Sequence, residues 1–218
     1  MSSAPRPVLE LLSFLASDDF KKDASLTHPT FELIEGWRGL QRVYEGVSVD
    51  DEDPDRRWLI LIWETFEDHK SLMDDQAVYP KVLENLGKCL GGDVEMRHVQ
   101  FGDTTATALS SPVVEIAKLE LKLGANKDEF ESHMRDFMEH AKGAPRSKEH
   151  APFTFGQTRE SESSYFFMGG WDSKQAHLDC VADPEGIQSF VHKIGNYATF
   201  KVFHFTVKEF GFRHKSAY

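Results

Sequence analysis

Two histidines, His69 and His177, each fall six residues after a tryptophan in a pattern that occurs twice: Trp63-Glu64-Thr65-Phe66-Glu67-Asp68-His69 and Trp171-Asp172-Ser173-Lys174-Gln175-Ala176-His177. An imidazole changes charge near neutrality, which suits it to general acid–base work. In both copies an apolar run ends at Trp, an acid follows, and Thr65 or Ser173 supplies a good helix N-cap. Counted from those caps, each His is the fourth helical residue, and Glu64 and Asp172 stand just before the caps. These are the two positions that touch in a hydrophobic staple. A carboxylate placed there would orient the ring and hold its pKa up, while the helix N-terminus would push the pKa down. His69 and His177 are thus candidate catalytic residues, with Glu64 and Asp172 to orient them. The alternative is a capping contact that only fixes where the helix begins.

Other side chains join this pair as candidates for substrate binding. His98 and His204 fall in phase with apolar strand residues, so each either faces a cavity or makes one satisfied core hydrogen bond. Should His69 and His98 meet across a cleft, an acid–base pair or a metal pair results. Trp63 and Trp171 either stack on an aromatic ligand or belong to the core. Met73 shares a helical face with His69, and Tyr79 either lines the cleft as a proton donor or marks a helix break. Cys180 lies one turn past His177 and reads as a buried, inert thiol. His133 and His140 share a helix face and could co-ligate a metal or haem, although a boundary face is the commoner explanation. The chain has no Gly-rich phosphate loop, no GxSxG and no HExxH. Asp50 to Asp55 is acidic without calcium-loop spacing and reads as a solvated turn. No metal centre and no cofactor are expected.

These residues must be held by strands and helices, and the hydrophobic pattern supplies them twice. Strands are expected at 8–16, 41–49, 58–63 and 94–101, with helices at 28–34, 66–73 and 82–90 and a loop at 20–24. Residues 102–112 (GDTTATALSSP) have linker composition. A second set follows, with strands at 113–123, 153–159, 165–171 and 200–207 and helices at 127–142, 174–181 and 184–194, the last opening with Pro184. Each half is therefore β-α-β-β-α-β, residues 1–101 and 113–207, with a tail at 208–218. Two echoed histidines per half, in register with Trp and linker, point to internal duplication.

A length of 218 residues suits one large domain or two small ones, and 40% hydrophobic residues suffice for a core. The formal net charge of −11 repels phosphate backbones and anionic membrane surfaces, so a nucleic-acid partner is not expected. The two cysteines form no disulfide framework, the first residues lack an apolar signal core, and no apolar run is long enough to span a bilayer. A cytoplasmic protein without membrane association is the expectation.

A tandem of units of about 100 residues with W-[DE]-[ST]-x-x-x-H at the third strand and second helix resembles the dimeric α+β barrel superfamily. More narrowly, the chain looks like fungal tandem-domain proteins built from antibiotic-biosynthesis-monooxygenase-like domains. The residues carrying that resemblance are QRVYEGVSV, LILIWETFEDHKSLMDDQAVYPKVLENLG and RHVQF in the first half, with MGGWDSKQAH and FHF in the second. The resemblance implies an α+β fold of two ferredoxin-like units whose antiparallel sheets pack as a barrel within one chain, superfamily barrels usually closing by dimerisation, so that a homodimer stays open. It also implies a ligand cleft between each sheet and its helices. Members include cofactor-free monooxygenases, polyketide cyclases, haem-binding enzymes and proteins without known activity. Neither half has a histidine near Tyr79-Pro80 or Asp183-Pro184, where cyclase-like members carry theirs. The expected function is a small-molecule enzyme of specialised polyketide or aromatic metabolism, using histidine acid–base chemistry on a hydrophobic substrate as a cyclase, aldol-type enzyme or monooxygenase. The alternatives are a non-catalytic ligand-binding or stress-associated barrel and a haem-binding enzyme.

Overall fold

The computed structural model describes residues 6–143, 150–183 and 187–212. The chain divides into two compact units, one of Met1–Val47, Asp53–His98 and Lys208–Tyr218, the other of Ser48–Glu52 and Val99–Val207. The spatial units therefore exchange short pieces relative to the two halves of the sequence. Residues 48–52 join the second unit, and the chain beyond Val207 returns to the first.

The first unit is built from β1 (Val8–Ala16), α1 (Asp18–Lys22), α2 (His28–Ile34), β2 (Leu40–Ser48), β3 (Arg56–Trp63), α3 (Phe66–Asp74), α4 (Tyr79–Gly87) and β4 (Leu90–Val99). Its strand order, β4-β1-β3-β2, is the ferredoxin-like one. β1 and β3 pair antiparallel in the register Val8↔Trp63 and Glu10↔Leu61. Both faces of this pair are almost wholly buried, which is why VLELLSFLA lacks the alternation of a half-exposed strand. Leu12, Phe14, Leu59, Leu61 and Trp63 form one core with Phe31 and Ile34 of α2, Leu72 of α3 and Val82 of α4.

The second unit repeats the order with α5 (Ala106–Leu109), β5 (Val113–Leu121), α6 (Lys127–Gly143), β6 (Thr154–Gln157), β7 (Ser164–Trp171), α7 (Lys174–Val181), α8 (Gln188–Tyr197) and β8 (Ala198–Glu209). Here the strands run β8-β5-β7-β6. Leu119, Phe167 and Trp171 pack against Phe130, Met134 and Met138 of α6 and Ile194 of α8.

Several local expectations need correction. Residues 20–22 of the expected loop 20–24 belong to α1, because Ser17 Oγ accepts the Phe20 N–H and Phe20 buries its ring. The helix break expected near Tyr79 falls just ahead of it, between α3 and α4, and Pro80 sits in the first turn of α4, where its missing N–H is harmless. The stretch 102–112, linker-like in composition, contains α5, and its Ala108 and Leu109 are buried. α5 rests directly on β7, where a Cβ on Gly170 would meet the Ser111 side chain and the Ala108 backbone. Past β8 the Phe210 N–H donates to the Val43 carbonyl (2.8 Å), and its ring lies against Phe31. Pro184 lies outside the described residues.

The helices that start at the repeated pattern are capped as their sequence dictates. Thr65 Oγ1 accepts the Asp68 N–H and donates back to the Asp68 carboxylate (2.6 Å), and Ser173 Oγ accepts the Ala176 N–H. Gly39 adopts φ +76°, its carbonyl accepts the Glu64 N–H, and a Cβ there would overlap the capping Asp68 side chain. Gly39→Ala should therefore lower stability by roughly 1–3 kcal/mol, combining left-handed strain with that overlap. Denaturant unfolding of the variant beside Gly36→Ala checks this. Gly36 has φ +77° but open space around it, so it should lose less.

Candidate functional site

β1, α3 and β4 bring a carboxylate and two imidazoles together inside the first unit. Glu10 follows Val8 and Leu9 on β1, diagonal across the ladder from Trp63. The Trp63 indole Nε1–H donates to Glu10 Oε2 at 3.0 Å. The same oxygen lies 3.4 Å from His69 Nε2, and His69 Nδ1 is 2.6 Å from His98 Nε2. His69 also stacks on Trp63, with centroids 4.8 Å apart and planes 18° apart. Glu10, His69 and His98 are all buried.

The second unit contains the same chain of groups. Trp171 Nε1–H donates to Glu115 Oε2 at 2.8 Å, and that oxygen is 3.5 Å from His177 Nε2. His177 Nδ1 is 2.7 Å from His204 Nε2, and His204 Nδ1 is 2.9 Å from Asp50 Oδ1. Asp50 belongs to the acidic turn read as solvated, yet it is only 7% exposed. It also accepts the His204 backbone N–H (2.8 Å) and pairs with Lys174 Nζ (2.8 Å).

Burial sets the electrostatics. Desolvation drives His69 down to about 3, with the His98 charge adding to the effect. It drives His177 down to about 4, where Asp50 works in the opposite direction. Glu10 is raised by burial against the opposing pull of the Trp63 N–H and His98. Glu115 is pushed up to about 7 by burial, with Trp171 and His204 opposing. Burial would also raise Asp50, but the hydrogen bonds from Lys174 and His204 outweigh it and hold the carboxyl below its usual range. Each unit thus places a carboxyl group that resists ionisation beside an imidazole that resists protonation, the kind of pairing used to divide acid and base roles.

Each pair forms part of a cavity wall. The first-unit cavity, about 240 Å³, is bounded by Leu12, Phe31, Leu59, Leu61 and Met96 around Glu10, His69, Thr30 and Tyr79. Thr30 Oγ1 is buried there without a hydrogen-bond partner among the described residues. Burial, with the nearby Glu10 charge, raises the Tyr79 hydroxyl above its ordinary value. The second-unit cavity, about 100 Å³, is bounded by Met134, Phe137, Phe153, Phe167 and Trp171, with Glu115 and His177 as its ionisable members among the described residues.

Glu10, His69 and His98 are close enough to suggest a metal site. The geometry argues for a hydrogen-bonded chain instead. Two nitrogens on one tetrahedral ion stand about 3.3 Å apart at normal bond lengths. Here they face each other at 2.6 Å, and Glu10 sits at the opposite nitrogen of His69.

The sequence-derived site residues divide as follows. His69 with His98, and His177 with His204, come together. Tyr79 and Trp171 line cavities, while Trp63 is fully buried behind its His. Met73 is half-buried and lies outside the lining of the first cavity. Glu64 and Asp172 do not orient the imidazoles. Glu64 is exposed, and Asp172 pairs with His150 Nε2 at 2.8 Å. The staple geometry fails because each imidazole turns inward, to a strand carboxylate. Glu10 and Glu115 were missed, although an acid at the third position of an otherwise apolar strand (VLELL, VVEIA) was visible twice. Asp50 was hidden in its run of acids. Ser111, His150 and Asp172 form a triad-like string, but the Ser111 hydroxyl is also within 2.8 Å of the Thr107 carbonyl and bounds neither cavity. His140 is exposed against Phe190 and His133 half-buried against Tyr197, and neither borders a cavity. Cys180 is buried in the second core.

No family model and no curated protein matches the sequence. Solved structures do match. A protein provisionally named a monooxygenase, from Fusobacterium nucleatum subsp. nucleatum, has a TM-score of 0.66 at 12% identity, over 94% of this chain and 94% of that one. An anthrone oxidase-like protein also has a TM-score of 0.66, at 11% identity, over 100% and 99% of the two chains. A chlorite dismutase variant from Candidatus Nitrospira defluvii has a TM-score of 0.56 at 9% identity, over 92% and 91%. At these identities the likeness is one of fold, and it agrees with the α+β, ferredoxin-like reading.

The opposed shifts in the second unit have a measurable consequence. A folded Glu115 keeps its proton up to about pH 7, where the unfolded chain releases it near 4.5, so this group lowers stability as pH rises through that window. His177, depressed from 6.5 to about 4, does the reverse and lowers stability as pH falls from 6.5 to 4. Glu115→Gln removes only the first effect and retains an acceptor for Trp171. At pH 8 the variant should be more stable than the parent by up to about 3 kcal/mol. At pH 4, below the unfolded value of 4.5, thermal melts of the two should nearly coincide.

Proposed function

We propose that the protein is a small-molecule enzyme that removes an acidic C–H or O–H proton from a hydrophobic, aromatic substrate, using its own carboxyl–imidazole pairs and no cofactor. The observation that carries this reading is the composition of the cavity walls. An apolar enclosure holds one Glu–His pair, with Glu115 raised to about 7 and His177 lowered to about 4. A wholly structural pair would need no cavity beside it, and a solvated pair would not have its pKa values displaced this way.

In the second unit the substrate proton passes to His177 Nε2, the C–H or O–H electron pair stays on the substrate, and ionised Glu115 faces the new imidazolium. Apolar walls exclude water, which strengthens that attraction. Glu10 and His69 offer the same chemistry in the first unit, where the unpartnered Thr30 hydroxyl and Tyr79 suit a phenolic or carbonyl oxygen on the ligand. The resulting carbanion or enolate can close a ring by aldol-type attack or, with molecular oxygen as oxidant, become oxygenated. Two structural neighbours named as a monooxygenase and an anthrone oxidase-like protein support an anthrone as the first probe, since its methylene is acidified by flanking aromatic rings and conjugation to a carbonyl.

His69→Gln and His177→Gln, made separately, should be assayed for hydrogen–deuterium exchange at that methylene without air and for oxygen uptake with air. At least one variant should lose about 10²–10⁴-fold in rate. The parent rate should fall as pH drops below about 7, because Glu115 then takes up the proton that weakens its hold on the imidazolium. Undiminished turnover in both variants would sink the acid–base reading.

A further inference from the structure

We infer that Asp50 is the positioning residue of the second unit's base: by accepting the Nδ1 proton of His204 it fixes the tautomer of both imidazoles and leaves the His177 Nε2 lone pair at the cavity. This rests on the acid–base reading above, but its central test does not depend on turnover.

Donor and acceptor counts decide which ring nitrogens carry hydrogen. Asp50 pairs with Lys174 Nζ at 2.8 Å and accepts the His204 backbone N–H on Oδ2. An ionised carboxylate can only accept, so the 2.9 Å contact from Oδ1 to His204 Nδ1 requires the hydrogen on Nδ1. A neutral ring has one donor and one acceptor, which makes His204 Nε2 the acceptor in its 2.7 Å contact with His177. His177 Nδ1 must then donate, and Nε2 is left bare. That atom is 3.5 Å from Glu115 Oε2, slightly beyond hydrogen-bond distance, on the cavity wall.

Asp50 therefore acts at two removes. When a substrate proton forms the new N–H bond at His177 Nε2, the Nδ1 proton can pass to His204 Nε2. The positive charge then rests on His204, against Asp50, and the substrate keeps the electron pair of its broken bond. The charged groups around this string are Lys174 and Glu52 beside Asp50, and Glu115 beside His177. The acidic run Asp50-Asp51-Glu52-Asp53 thus contributes one buried residue to the site, while Glu52 is exposed.

Asp50→Asn gives a sharp test, because the His204 backbone N–H can only donate. The Asn carbonyl should turn to that N–H, its NH₂ should face Nδ1, and Lys174 can swing to Glu52, 3.6 Å away. Every tautomer along the string then inverts, and His177 becomes an Nε2–H donor. Imidazole ¹⁵N spectra of histidine-labelled protein at pH 8, assigned with His177→Gln and His204→Gln, read the bare and protonated nitrogens directly. The expected result is a bare Nε2 on His177 in the parent and a protonated one in Asp50→Asn, with at least a tenfold lower exchange rate on the anthrone probe. A protonated His177 Nε2 in the parent overturns the inference outright, whatever the variants do. Unchanged tautomers in a folded Asp50→Asn overturn the role of Asp50. Should that variant not fold, Asp50→Glu serves in its place: it keeps the acceptor and should keep the parental tautomers, so inversion there also overturns it. Parental tautomers as expected, together with His177→Gln that turns over normally, would leave the positioning intact and defeat only the catalytic reading.

Discussion

The second unit turns on a carboxylic acid held out of water between an indole N–H and an imidazole. Burial of Glu115 costs more the more it ionises, so the site answers by letting the group keep its proton, by providing the Trp171 N–H, and by placing His177 within 3.5 Å. The first unit solves the same problem with Glu10, Trp63 and His69. Once the acid is there, the choice of neighbours is narrow. An apolar residue in place of either Trp would strip the carboxylate of a hydrogen bond, and a residue too short to reach would leave the imidazole nitrogen without its neighbour.

That constraint explains much of the surrounding architecture. A glutamate at the third position of the opening strand and a Trp at the end of the third strand lie diagonally across one ladder, so the indole can reach the carboxylate only in that register. The helix following Trp must begin at once if its fourth residue is to return over the strand end, and the Thr65 and Ser173 caps make it do so. Gly39 allows the chain to pass beneath Asp68, and Gly170 lets α5 lie on β7. In the second unit the string runs on to Asp50, whose charge opposes the burial-driven depression of His177. The first has the roomier cavity and an unpartnered hydroxyl, features that bear on ligand choice more than on basicity.

Much of this was readable from residues 63–69 and 171–177. Their apolar run, cap and histidine spacing gave a strand running into a helix with an inward imidazole, since those signals are local and period-based. The partner acids were assigned wrongly for a definite reason. Glu64 and Asp172 are near in sequence, whereas Glu10 and Glu115 are 53 and 56 residues from the tryptophans they bond. A local rule favours the near neighbour, and burial favours the one that can be desolvated together with the ring. Asp50 escaped notice because five of the six residues from 50 to 55 are acidic, and composition cannot mark the one that turns inward.

By itself, then, the sequence determined the strand order of both halves, the capped starts of α3 and α7, and the inward face of the histidines, though not the short helices α1 and α5. Those follow from short-range sterics, hydrogen bonding and the alternation of apolar side chains. Only the tertiary structure decided which carboxylates those histidines meet, that the imidazoles touch pairwise at 2.6 and 2.7 Å, and that the acidic turn sends Asp50 to His204. Such contacts join strands distant in sequence, and the free energy that fixes them is the shared desolvation of the whole polar string, which no single segment carries.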